Sequence, residues 1–178
     1  TEVLKAQFSP DGKNIITTSG DSIAKIWNAD TGNLLADLKG HTSEVNSAQF
    51  SSDGKKIITA SEDATAKIWN ADTGDLLLDL KGHTKAVVSA QFIQNGKKIV
   101  TIDGITAKVW DADTGKFLVD LKGHTNTVFS AQFSSDGKKI VTSYNDGTAK
   151  IWDADTGDLL VDLKGHTKEV VSAQFIQN

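Results

Sequence analysis

Trp27, Trp69, Trp110 and Trp152 are spaced by 42, 41 and 42 residues, and His41, His83, His124 and His166 repeat the same three intervals. A fixed period of that length makes the chain an array of near-identical supersecondary units, which bury their apolar faces on one another. "AQF" recurs five times, ending at Phe8, Phe50, Phe92, Phe133 and Phe175, and "ADTG" four times, starting at Ala29, Ala71, Ala112 and Ala154. The one short interval comes from a residue missing in "TIDGITAKVW" relative to "TASEDATAKIW".

Each unit reads as four short strands. "EVNSAQF" is followed by "SSDGKK", where Asp53-Gly54 suits the positive φ of a tight hairpin turn. "KIITAS" is a β-branched second strand, "TAKIWN" a third, and "ADTG" a further turn containing Gly74. "LLLDLK" is the fourth strand, and "GHT" leads into the next unit. Turn signals every 8 to 12 residues leave no room for helices. The expected fold class is all-β, four sheets of four antiparallel strands.

On "GH", then a tight Asp-containing turn, then "KIWN" or "KIWD", the chain resembles the WD-repeat β-propellers over essentially its whole length. Trp-Asp itself stands at Trp110-Asp111 and Trp152-Asp153, and Trp-Asn at Trp27-Asn28 and Trp69-Asn70. Such close likeness between copies is that of a recently multiplied blade or a deliberately built one. The resemblance implies a hydrogen-bonded set in each blade: a strand-three Trp, a strand-two Thr, the His of "GH" and the Asp of the following turn. Blade two would use Trp69, Thr59, His41 and Asp63, and blade four Trp152, Thr142, His124 and Asp146. Blade three would use Trp110, Thr101, His83 and Asp103. There, however, Gly104 stands six residues before Trp110, where the other blades have Asp. The deletion displaces Asp103, so loss of its carboxylate contact and a less stable blade are expected. Blade one has Trp27, Thr17 and Asp21 but no preceding "GH"; its fourth member is expected to be His166, brought across the seam by the extra strand of a second copy.

These recurring polar residues are expected to be structural. An indole N–H and an imidazole buried between sheets need partners, and histidines on successive blades of a ring do not converge on one metal ion. "DADTG" at 111–115 and 153–157 is similar to the start of a calcium loop, but neither has Glu at the twelfth position, so plain turns are expected. No phosphate loop, nucleophile elbow or paired carboxylate stands out, and no enzyme, cofactor or metal is expected. The copies differ mainly after "GHT", before strand three and in the first hairpin. Phe129, Tyr144, Ile102 and Lys85 are therefore the candidate partner-binding residues on the rim.

All 19 basic residues are Lys and none is Arg. The side chain best suited to bidentate phosphate and guanine contacts is thus missing, which argues against nucleic acid. No apolar run is long enough to span a membrane, and no leader opens the chain. Cysteine is absent, so disulfides and thiolate sites are excluded. Thr1 in place of Met reads as a processed or excised piece, and a cytoplasmic location is the expectation.

The strands parse as blade one at 1–39, two at 40–81, three at 82–122 and four at 123–164. Left over is 165–178, an extra innermost strand whose "KEVVSAQF" duplicates "TEVLKAQF" at 1–8. Closed propellers have about four to eight blades. Two chains would give eight, so a homodimer forming one eight-bladed ring is expected, with the extra strand as an inter-chain clasp competing with 1–8. The function class is a structural or protein-interaction scaffold, and the alternative is a small-ligand or carbohydrate-binding propeller.

Overall fold

The structure, a computed structural model, describes residues 2–93, 95–122 and 126–176. Each repeat folds as one four-stranded antiparallel sheet whose strands pair in chain order. Blade one is β1 (Val3–Phe8), β2 (Asn14–Ser19), β3 (Ala24–Asn28) and β4 (Leu34–Leu38). Blade two is β5 (Val45–Phe50), β6 (Lys56–Ser61), β7 (Thr65–Asn70) and β8 (Leu76–Lys81). Blade three is β9 (Ser89–Phe92), β10 (Lys98–Ile102), β11 (Ala107–Asp111) and β12 (Phe117–Leu121). Blade four is β13 (Val128–Phe133), β14 (Lys139–Tyr144), β15 (Ala149–Asp153) and β16 (Leu159–Leu163). The described residues contain no helix long and apolar enough to cross a membrane.

Local chemistry sets the hairpins. In the first turn of blades one, two and four, a Ser hydroxyl donates to the Asp two residues on at 2.6 Å (Ser9–Asp11, Ser51–Asp53, Ser134–Asp136). After strand three, the residue following Trp accepts the backbone N–H groups two and three residues ahead. Asn28 does so at 3.1 and 2.8 Å, and Asp111 at the same two distances. Asn and Asp offer the same carbonyl-type oxygen to this turn. Trp-Asn and Trp-Asp are therefore equivalent here. The ladder between strands three and four shifts register at every Trp (Ile26/Trp27, Ile68/Trp69, Val109/Trp110, Ile151/Trp152), a bulge that re-aims the side chain.

The core lies between blades. At the seam of blades one and two, Ile16, Ala24, Ile26 and Leu38 meet Ile57, Trp69 and Ala71. Between two and three, Ile58, Ala66, Ile68 and Leu80 meet Ile99, Trp110 and Ala112. Between three and four, Val100, Ala107, Val109 and Leu121 meet Ile140, Trp152 and Ala154. One pattern serves all three seams: four aliphatic positions on one blade receive an Ile, a Trp and an Ala from the next. The sheets form an open arc, because β1 is exposed along its whole length.

The segment 165–176, here the tail, makes no ladder of its own. It runs along blade four, with the Val170 N–H donating to the Tyr144 carbonyl at 2.9 Å. Val87 makes the same bond to the Ser61 carbonyl, also at 2.9 Å, where blade three meets blade two. The tail therefore sits in the register of the first strand of a following blade.

Candidate functional site

The recurring polar residues meet in two complete networks. In blade two the Trp69 indole N–H donates to Thr59 Oγ1 at 2.8 Å, Thr59 reaches His41 Nε2 at 2.7 Å, and His41 Nδ1 reaches Asp63 Oδ2 at 2.7 Å. Neutral histidine satisfies the whole chain: Nδ1–H donates to the carboxylate, and Nε2 accepts from the threonine hydroxyl. Gly40, the glycine of "GH", lets the backbone approach the indole. A Cβ there would stand 3.1 Å from the Trp69 ring.

Blade three has the same set, which corrects the expectation of a lost carboxylate. Trp110 bonds Thr101 at 2.7 Å, Thr101 bonds His83 at 2.7 Å, and His83 Nδ1 reaches Asp103 Oδ2 at 3.0 Å. The deletion is absorbed in the turn, where Asp103 Oδ1 accepts the N–H groups of Ile105 and Thr106 and Gly104 takes a φ of 81°. The physical ground for a weaker third blade is thereby removed.

Blade four keeps Trp152 on Thr142 at 2.7 Å, and His124 lies outside the described residues. Asp146 accepts from Thr148 and, at 2.8 Å, from Asn126 Nδ2. Tyr144, which sequence reasoning left out of the network, joins it: its hydroxyl lies 2.6 Å from Thr142 Oγ1. The signal was available, since residues two apart on a strand share a face. In blade one Trp27 bonds Thr17 at 2.8 Å, and Asp21 accepts from Ser19 at 2.6 Å. No histidine precedes them in the chain. His166 lies instead against blade four, with Val141, Ala149, Ile151 and Leu163.

Two of the four rim candidates are not on the surface. Tyr144 and Ile102 are buried, because strand two extends through them instead of ending before the turn. Phe129 and Lys85 are exposed. Among the described residues no group of three His, Asp or Glu side chains is placed to hold a metal ion.

Burial holds His41 and His83 below the ordinary histidine value, more strongly than the Asp63 and Asp103 carboxylates raise them. Asp63 is raised by burial, but hydrogen bonds from Thr65, His41 and Thr42 outweigh this and hold it at about 2. Both histidines are depressed in the folded state, so the unfolded chain takes up their protons first. Their contribution is full above the unfolded value of 6.5 and is lost as pH falls below it. The Asp63 contribution is lost only between 3.8 and about 2. The urea midpoint should therefore decline from pH 7 to pH 5, and less steeply with His41→Asn. A flat or rising midpoint over that range would contradict the neutral network.

The two ends of the arc leave seam positions uncovered. Leu163 is 45% exposed, whereas its counterparts Leu38, Leu80 and Leu121 are at 0, 1 and 1%. Val3 is 61% exposed against 0% for Val45 and 1% for Val128. Val141, Ala149, Ile151 and Leu163 occupy the four aliphatic positions of the seam pattern; Val141 and Ala149 are buried, and the four line a cavity of about 570 Å³ together with tail residues that include His166, Val170, Ala173 and Phe175. At the opposite end, Ile15, Trp27 and Ala29 occupy the three complementary positions and are only half-buried. The receiving face and the inserting face belong to the same chain.

The model of the WD domain, G-beta repeat, matches residues 1–28, 32–70, 74–111 and 115–153. From the second match on, each runs from the outer strand of one sheet through three strands of the next. The chain is also similar to a crystal structure of the computationally designed Ika8 protein, at 35% identity and a TM-score of 0.87. That likeness covers 100% of this chain and 54% of the designed one, so the chain spans about half its length. Matches that tile residues 1–153 repeat after repeat, on four sheets joined by one recurring seam, place the chain in the WD-repeat family of β-propellers.

Proposed function

We propose that the chain is a non-catalytic scaffold that assembles with a second copy of itself into one closed eight-bladed ring. The observation that carries this reading is the complementarity of the two ends. Blade four offers Val141, Ala149, Ile151 and Leu163, blade one offers Ile15, Trp27 and Ala29, and the internal seams join these same positions. Such a contact is head-to-tail, and it is self-limiting only if the rotation closes. The curvature of the arc matches about half of a designed protein of nearly twice this length, which favours closure by two copies.

The apolar gain is sufficient. If each end face offers roughly 400 Å², its burial is worth about 10 kcal/mol as an upper estimate. Charge follows the same register. Lys56 reaches Asp113 at 2.7 Å from blade two to blade three, and Lys98 reaches Asp155 from blade three to blade four. Continuing the pattern pairs Lys139 with Asp30 of the second copy, an exposed pair that orients more than it stabilises.

Light scattering tests the proposal. It should give a mass near twice the single-chain 19.0 kDa; a single-chain mass across the micromolar range would overturn it.

A further inference from the structure

We infer that the ring is closed by strand exchange: the tail of one copy replaces β1 as the strand paired with β2 of the other. This rests on the two-copy ring and names the contact that completes it. The tail and β1 carry the same sequence pattern, so each seam has two candidates for one innermost position. The tail already holds that position relative to blade four, through the Val170–Tyr144 bond and a second bond from Ser143 Oγ to the Val171 carbonyl at 3.2 Å. β1 could meet a neighbouring blade four only by driving the tail away.

Two features of blade one favour the tail. Thr18 is 1% exposed, and its hydroxyl has no hydrogen-bond partner. The residue opposite it in the ladder is Lys5, where the other copies of this strand have Ser47, Ser89, Ser130 and Ser172. In blade four the same two positions are Ser130 and Ser143, whose hydroxyls bond at 2.7 Å. Ser47 makes no such bond because Ala60 stands opposite it. Ser172 in the place of Lys5 would supply the hydroxyl that Thr18 lacks. A buried hydroxyl left unpaired destabilises the fold, so the exchange relieves a standing penalty.

The second feature is the Trp27–Thr17 pair, which has no imidazole. In blades two and three the threonine of that pair holds a histidine at 2.7 Å. His166 is exposed on the tail and precedes Ser172 by the same interval that separates His41 from Ser47. One register therefore brings His166 to Thr17 and Ser172 to Thr18. β1 can do neither.

The chain has no cysteine, so an engineered pair reports the pairing without interference. Positions opposite each other in an antiparallel ladder are within disulfide reach. Thr18→Cys with Ser172→Cys should oxidise to a covalent two-chain species on a denaturing gel, while Thr18→Cys with Lys5→Cys should keep free thiols. Full intrachain cross-linking of the Lys5 pair in a particle of unchanged two-chain mass would overturn the exchange and leave the ring intact. A disulfide joining positions 18 and 172 within one chain would overturn both. Removal of 165–178 is the independent check: the exchange predicts loss of the two-chain particle, and an unchanged mass would contradict it.

Discussion

Trp69→Ala should lower the unfolding free energy by about 3–5 kcal/mol for the lost packing alone, before its hydrogen bond is considered. Trp69 is fully buried and is the residue that blade two inserts against Ile16, Ala24, Ile26 and Leu38 of blade one. Its removal also takes the indole donor from Thr59, which in turn anchors His41. Domains are stable by only about 5–15 kcal/mol, so this one change approaches the whole margin. Urea titration followed by circular dichroism should show a large fall in midpoint or loss of a cooperative transition. A loss under about 1 kcal/mol would mean that the seam is not the unit of stability.

Leu163→Asp should abolish the two-copy particle while leaving the single chain folded. Leu163 is nearly half exposed in the isolated arc, so a carboxylate there stays hydrated. In the ring it would be sealed against Trp27 without a counter-charge, which costs several kcal/mol. The two-fold arrangement doubles the effect, because the substitution falls at both seams. Leu159→Asp is the control. Leu159 is equally exposed, but so are its counterparts Leu34 and Leu76, whose blades are followed by a neighbour, because this beginning of the outermost strand lies outside the seam that buries its end at Leu38 and Leu80. Leu159→Asp should therefore retain the assembled mass. If both variants stay assembled, the blade-four face is not the contact surface.

The sheets and their strand order are legible from the repeat, and the Trp–Thr pairs from the family resemblance, because each depends on residues within one period. Ser9–Asp11 and Ser51–Asp53 are local turn chemistry, and a spacing of ten residues brings Trp69 to Thr59 across a single hairpin. Alignment misled at Asp103. Counting back from Trp110 placed Gly104 at the acidic position, whereas the turn shortened and kept the carboxylate on His83. Variation misled at Tyr144 and Ile102. Both differ from blade to blade, as rim residues would, yet both end a buried strand, where any side chain that fills the seam is tolerated. Closure by two copies is expected from the blade count alone, but which residues the ends leave uncovered was not legible. It appears only when exposure at the same repeat position is compared between end and internal blades, as for Leu163 against Leu121 and Trp27 against Trp110.

Sedimentation equilibrium of the unaltered chain over a hundred-fold dilution bears most directly on the mutual covering of the end blades. A closed two-copy ring gives a single species of two chains that separates, at sufficient dilution, only into single chains of 19.0 kDa. A single-chain mass at every concentration, or masses that climb without limit as head-to-tail contacts fail to close, would contradict it.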